Sequence, residues 1–139
     1  MRIMGLDLGD KRIGVALSDP LGLTAQGLES ITCRSVKDDI KKIKEIAREY
    51  EVGRVVVGYP ANMDGSAGPR AEMAKSYAGR LAKALDLPVE LWDERLTTVA
   101  AEKLLLKADV RRSKRRRVID QVAAALILQS YLDSHRKIK

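Results

Sequence analysis

Apolar and polar positions change period along this chain, and the changes mark its elements. Residues 1–8 are an apolar run broken by Gly5 and Asp7 and read as a β-strand. Gly9 and Asp10 form a turn, since a Gly beside an Asp supplies the positive φ of a tight hairpin, and residues 12–18 form a second strand. A third strand is predicted over 27–33. Ser35 and Asp38 have the spacing of a capping box. The apolar period that follows, Val36, Ile40, Ile43, Ala47 and Tyr50, predicts an amphipathic helix. The Val-rich run 54–58 lacks alternation, as expected of a strand buried on both faces. Residues 59–68 form a loop. Pro69 then stands where helix starts tolerate it, and Met73, Tyr77, Leu81 and Leu85 predict the inward face of a helix reaching Asp86. A last strand over 88–93, a helix over about 98–108 and a final helix over about 118–133 complete the pattern.

Three strands followed by alternating helices and strands predict an α/β layer: a mixed five-stranded sheet flanked by helices. The 139 residues hold no repeat or linker and are expected to form one domain over 1–139. The longest apolar run, residues 122–128, is far too short to span a membrane. No signal-like segment develops before Asp7, so a cytoplasmic protein is expected. The single cysteine, Cys33, cannot pair within the chain and is expected to be a packed thiol. The one histidine, His135, falls in a stretch expected to fray, which argues against a histidine dyad or a zinc site. With no Phe and one Trp, an aromatic platform for splayed bases is not expected.

Charge sharpens the functional expectation. The net charge is +7, and it is concentrated. Residues 107–117 carry seven basic side chains, Lys107, Arg111, Arg112, Lys114, Arg115, Arg116 and Arg117, against the single acid Asp109. Such a block suggests a polyanionic partner, with nucleic acid the first candidate. A solvated charged loop is the plainer alternative.

Three carboxylates stand where carboxylates are costly or conspicuous. Asp7 shares a strand face with Ile3 and Gly5 in an otherwise apolar stretch. Glu94, after Asp93, ends the last predicted strand, where ligand groups of open α/β sheets gather. Asp120 is expected in the first turn of the very apolar final helix, a position the helix dipole also favours. Each has a bland reading: a turn hydrogen bond, a pair with Arg95, a dipole contact. Together they can converge at one sheet edge. Two such charges about 5 Å apart repel by roughly 3 kcal/mol at an effective dielectric near 20. Convergence therefore requires a proton or a divalent cation, and hard oxygen donors favour Mg²⁺ or Mn²⁺. A pair of such ions can activate water against a phosphodiester. The loop containing Asn62, Gly65 and Ser66, just before a helix start, is a second candidate for phosphate contact.

At this point a resemblance emerges. The segment Gly5-Leu6-Asp7-Leu8-Gly9-Asp10-Lys11-Arg12-Ile13-Gly14 resembles the opening signature of the YqgF (RuvX) family. Asn62-Met63-Asp64-Gly65-Ser66, Asp93-Glu94-Arg95-Leu96-Thr97-Thr98 and Asp120-Gln121-Val122-Ala123-Ala124 are similar to its other blocks, in order. Tyr59 departs from the Leu that the family more often carries there. The resemblance implies a ribonuclease H-like fold and a nuclease related to Holliday junction resolvases, associated with trimming the 5′ end of precursor 16S rRNA. Carried over by position, Asp7, Glu94 and Asp120 are the catalytic, metal-binding set, and Lys11, Arg12 and Arg95 lie near the substrate. Arg111, Arg112, Arg115 and Arg116 of the basic block are the remaining expected substrate contacts. The expected partner is a structured nucleic acid, precursor rRNA or a pre-ribosomal particle, bound by a monomer or homodimer. A junction-resolving DNA endonuclease and a non-catalytic RNA-binding assembly factor are the alternatives.

Overall fold

A computed structural model describes residues 1–9, 11–59, 69–93 and 112–136; the side chains of 59, 69–70, 112–118 and 136 fall outside that description. Five strands form one sheet in the order β3-β2-β1-β4-β5: β1 Arg2–Leu8, β2 Arg12–Ser18, β3 Ala25–Thr32, β4 Val52–Tyr59 and β5 Val89–Asp93. The first three pair antiparallel, and β4 and β5 continue parallel to β1, giving the expected mixed sheet. Helices α1 (Val36–Glu49) and α2 (Pro69–Leu85) cover one face, and α3 (Arg112–Arg136) covers the other.

Strand alternation divides the core. Met4, Leu6, Ile13, Val15, Val55 and Val57 point to α1 and α2, where Ile40, Ile43, Ile46 and Leu81 meet them. Ile3, Ala16 and Val56 point to α3 and its Ala123, Ala124, Ile127, Leu128, Tyr131 and Leu132. The valines 55–57 are fully buried, as their unbroken apolar run requires.

Local signals explain most element ends. Gly9 donates its N–H to the Arg12 carbonyl at 2.9 Å and closes the β1–β2 hairpin. At α1 the extended Ser35 accepts the Asp38 N–H on Oγ at 3.1 Å. The carboxylate that reaches back is Asp39, one residue beyond the expected partner, and it takes the Arg34 N–H at 3.0 Å.

Several expectations need correction. The third strand starts at Ala25 and ends at Thr32, leaving Cys33 half-buried just beyond it. Val36 and Met73 were expected inward but are 38% and 69% exposed. On α2 Leu81 is fully buried in the core, with Tyr77 and Leu85 packed against the same cluster as expected, while Ala71, Ala74 and Ala78 are also buried and Met73 is turned outward. The final helix begins at Arg112, not near residue 118. Arg and Lys are good helix formers and no Gly or Pro separates them from the apolar segment, so the helix takes in the basic residues from Arg112 onward. His135 lies within this helix rather than in a frayed end, stacked on Tyr131 with ring centroids 4.0 Å apart. The helix expected over 98–108 lies outside the described residues.

The far half of α3 is anchored to β5 and to the β2–β3 connection. Trp92 meets Tyr131 edge-on at 5.4 Å and donates its indole N–H to Ser130 Oγ at 3.1 Å. Glu90 accepts from the Tyr131 hydroxyl at 3.0 Å and pairs with Arg54. Gln129 accepts the Ala25 N–H at 2.9 Å. These contacts fix where the other half of α3, with Asp120, comes down on the sheet.

Candidate active site at the carboxyl end of the sheet

Asp7 sits near the carboxyl end of the central strand, 5% exposed. Its neighbours across both ladders are glycines, Gly14 on β2 and Gly58 on β4. Neither contributes a side chain, and α3 fills the space instead. A Cβ on Gly14 would stand 2.0 Å from the Asp120 carbonyl oxygen, and one on Gly58 would stand 2.4 Å from Ile127 Cδ1. One residue pair further in, a Cβ on Gly5 would meet Leu128 Cβ at 2.8 Å. A glycine within a strand often marks a close backbone approach, and here three of them seat one helix.

The consequence is that Asp120 is lowered onto Gly14, directly beside Asp7 in the ladder. Asp120 is in the third turn of α3, not the first, so the helix dipole does not account for it. Its Oδ2 accepts a hydrogen bond from Ser30 Oγ at 3.2 Å. Ser30 is itself the β3 partner of Gly14. Ser30, Gly14 and Asp7 thus form a row across three strands, with Asp120 above its centre. Arg12 alternates with Gly14 and lies on the same face at the same end, and Lys11 is exposed on the adjoining turn.

Two of the three expected carboxylates are therefore brought to one edge. Glu94 lies outside the described residues, as do Asn62, Gly65, Ser66, Arg95 and Arg111. Arg112, Arg115 and Arg116 occupy the opening turns of α3, on the same continuous helix as Asp120. Asp93 is buried at the end of β5, but Trp92 packs toward α3, so Asp93 falls on the opposite face from Asp7. Among the described residues no group of three or more His, Cys, Asp or Glu side chains is arranged to hold a metal. The described part of the site is a pair of carboxylates with a hydroxyl, an all-oxygen set of the hardness that Mg²⁺ and Mn²⁺ prefer. Sequence reasoning missed Ser30, which has no marking in its strand and meets Asp120 only through the fold.

The other face of the sheet carries a different feature at the same end. A cavity of about 320 Å³ lies between α1, α2 and the strand ends, lined by Leu8, Ile13, Cys33, Asp39, Ala74 and Tyr77 among others. Burial, with Asp39 nearby, pushes the Cys33 thiol above its ordinary range and so disfavours a reactive thiolate. Burial likewise raises the Tyr77 phenol, whose hydroxyl is enclosed with no hydrogen-bond partner among the described residues.

Comparison with known proteins bears on the family and the fold. A protein of Pelotomaculum thermopropionicum named "Putative pre-16S rRNA nuclease" is 64% identical over 135 residues, covering 96% of this chain and 88% of its own. A protein of the same name from Myxococcus xanthus is 60% identical over 136 residues, covering 98% and 90%. Among solved structures, Thermus thermophilus RuvC in complex with a Holliday junction substrate aligns over 97% of this chain and 96% of its own, with a TM-score of 0.62 and 17% identity. The fowlpox virus Holliday junction resolvase aligns over 96% and 99%, with a TM-score of 0.56 and 14% identity. At these identities the two structures speak for the fold, which is the ribonuclease H-like one expected. The profile described as "RuvX: Holliday junction resolvase" matches residues 1–134, and together with relatives of this identity it establishes that the chain belongs to the RuvX family.

Proposed function

We propose that this nuclease hydrolyses phosphodiester bonds of structured RNA, acting with a divalent ion on the 5′ end of precursor 16S rRNA. The observation that carries the reading is the descent of Asp120 onto Gly14 beside the buried Asp7. Two carboxylates in one half-buried place repel each other unless a cation or a proton intervenes. Asp7 and Asp120 would hold the ion, with Glu94 completing the set. An ion held there supplies Lewis acidity and an activated water.

The rest of the chemistry belongs to the chain. Asp7 is carried by a central strand hydrogen-bonded on both sides, so its backbone is in place before substrate arrives. Arg112, Arg115 and Arg116, with Arg111 before them, offer positive charge to the phosphates within a few helical turns of Asp120. Lys11 and Arg12 do so from the hairpin. The names of the close relatives support precursor rRNA as substrate. A cytoplasmic site of action follows from that substrate rather than from any feature of the chain.

Junction DNA is the second reading, favoured by the full-length likeness to resolvases. Symmetric junction cutting requires two sites, hence a homodimer. Both readings meet one experiment: end-labelled precursor rRNA beside a labelled four-way junction, with Mn²⁺, Mg²⁺ or EDTA, for the wild type and Asp7→Asn. Metal-dependent cutting of the RNA alone, lost in Asp7→Asn while binding persists, is the expected result. Cutting of the junction alone transfers the function to DNA. RNA binding without cutting in any metal, on naked RNA and on pre-ribosomal particles, leaves an assembly factor in place of an enzyme.

A further inference from the structure

The geometry points to Ser30 as a positioning residue for Asp120, an inference that rests on the metal-dependent reading of this site. Ser30, Gly14 and Asp7 are successive partners across β3, β2 and β1. Gly14 presents no side chain, so across this row the side chains flanking Asp120 are a hydroxyl from one edge and a carboxylate from the centre. The Ser30 hydroxyl donates to Asp120 Oδ2 at 3.2 Å across 90 residues of sequence.

What this bond does follows from the freedom it removes. The terminal torsion of an aspartate is broad, and a helix backbone alone does not decide which carboxylate oxygen faces which way. A donor on Oδ2 from the β3 side fixes the plane of the carboxylate. The groups that orient a metal-binding carboxylate commonly act in this way.

The contact is not needed to hold the helix. α3 is already seated on Gly14 and Gly5, and it is tied to the β3 side by Gln129, which accepts the Ala25 N–H at 2.9 Å and donates to the Leu23 carbonyl at 3.1 Å. Its far half is packed on Trp92. Removing one half-buried hydroxyl leaves all of these in place. Ser30 therefore acts on the orientation of Asp120, not on the position of its helix.

The test is Mn²⁺ titration of the whole chain, followed by electron paramagnetic resonance, beside cleavage kinetics and thermal melting. Loss of an orienting partner typically weakens metal affinity or activity 10- to 100-fold. At 3.2 Å the bond is longer than the usual 2.5–3.0 Å for a hydroxyl donor, which puts Ser30→Ala at the low end, about tenfold weaker for Mn²⁺. The same variant lowers kcat more than it changes KM, with melting nearly unmoved. Ser30→Thr keeps the hydroxyl and restores most of the affinity. Wild-type Mn²⁺ affinity in Ser30→Ala, or a Ser30→Thr as weak as Ser30→Ala, overturns the assignment of Ser30 while the metal reading stands. A wild-type chain that binds no Mn²⁺ overturns both.

Discussion

Toward α1 and α2 the central strands present Met4, Leu6, Val15, Val55 and Val57, all fully buried; toward α3 they present Ile3 and Val56 but otherwise Gly5, Asp7, Gly14, Ala16 and Gly58. The same strands thus build two unlike interfaces. One is thick and aliphatic, with stability coming from volume. The other is thin, and stability and geometry both depend on how near a single helix backbone can come. A carboxylate on α3 can reach Asp7 only across the thin side. The cavity of about 320 Å³ lies on the thick side, and at it the buried Tyr77 hydroxyl has no hydrogen-bond partner among the described residues.

This contrast predicts opposite sensitivities. The thick face should suffer most from losing atoms. Ile43 is fully buried between α1 and the sheet, and Ile43→Ala is expected to cost about 2–5 kcal/mol, in the upper half of that range. Urea denaturation measures it. At temperatures where the variant remains folded, its Mn²⁺ affinity should match the wild type, because Asp7 and Asp120 are on the other side of the sheet. A parallel loss of Mn²⁺ affinity would show that the two faces are not separable.

The thin face should suffer from gaining atoms. Gly14→Ala adds one methyl group 2.0 Å from the Asp120 carbonyl oxygen, with backbone on both sides and no flexible side chain to give way. Overpacking of this kind costs roughly 1–3 kcal/mol, and the upper end applies here. Unlike Ile43→Ala, it should also weaken Mn²⁺ binding in the folded protein, since the atom that must move belongs to Asp120. A Gly14→Ala chain with lowered stability and intact Mn²⁺ affinity would mean that the close approach seats the helix without setting the site.

How much of this was legible in the sequence differs between the two interfaces. The thick side was readable because it is made of period: Ile40, Ile43 and Ala47 on α1, and the uninterrupted valines of β4. Asp7 was readable because a carboxylate in an apolar strand is anomalous by itself. Less was readable where small residues decide. Alanines at 71, 74 and 78 are buried but carry little hydrophobic signal, so on α2 Met73 stands out as an apolar residue and is nevertheless exposed, while Tyr77, Leu81 and Leu85 pack on the core as expected. The start of α3 was misread because its basic residues mark function and helix equally well. That error put Asp120 in a first turn and made a dipole explanation available that the fold does not support. The bond from Ser30 to Asp120 had no sequence signal at all, since it depends on the registers of two ladders and on the seating of a helix on Gly14.

The smallest effect tests whether polar atoms matter on the thick side. The Tyr77 hydroxyl is enclosed with no hydrogen-bond partner among the described residues, and burial has moved its phenol further from ionisation. An unsatisfied buried hydroxyl costs about 1–3 kcal/mol relative to a satisfied or absent one. Tyr77→Phe removes that oxygen and leaves the ring packed against the core cluster beside the cavity. Stability should rise by about 1 kcal/mol in urea denaturation, at the low end because the oxygen's own packing contacts are also lost. Mn²⁺ affinity and cleavage should not change, which separates this hydroxyl from the one on Ser30. Removing the Ser30 hydroxyl should weaken the site and barely alter stability; removing the Tyr77 hydroxyl should do the reverse. A Tyr77→Phe chain that is less stable, or that cleaves poorly, would assign the cavity a working polar contact and make the thick face part of the site.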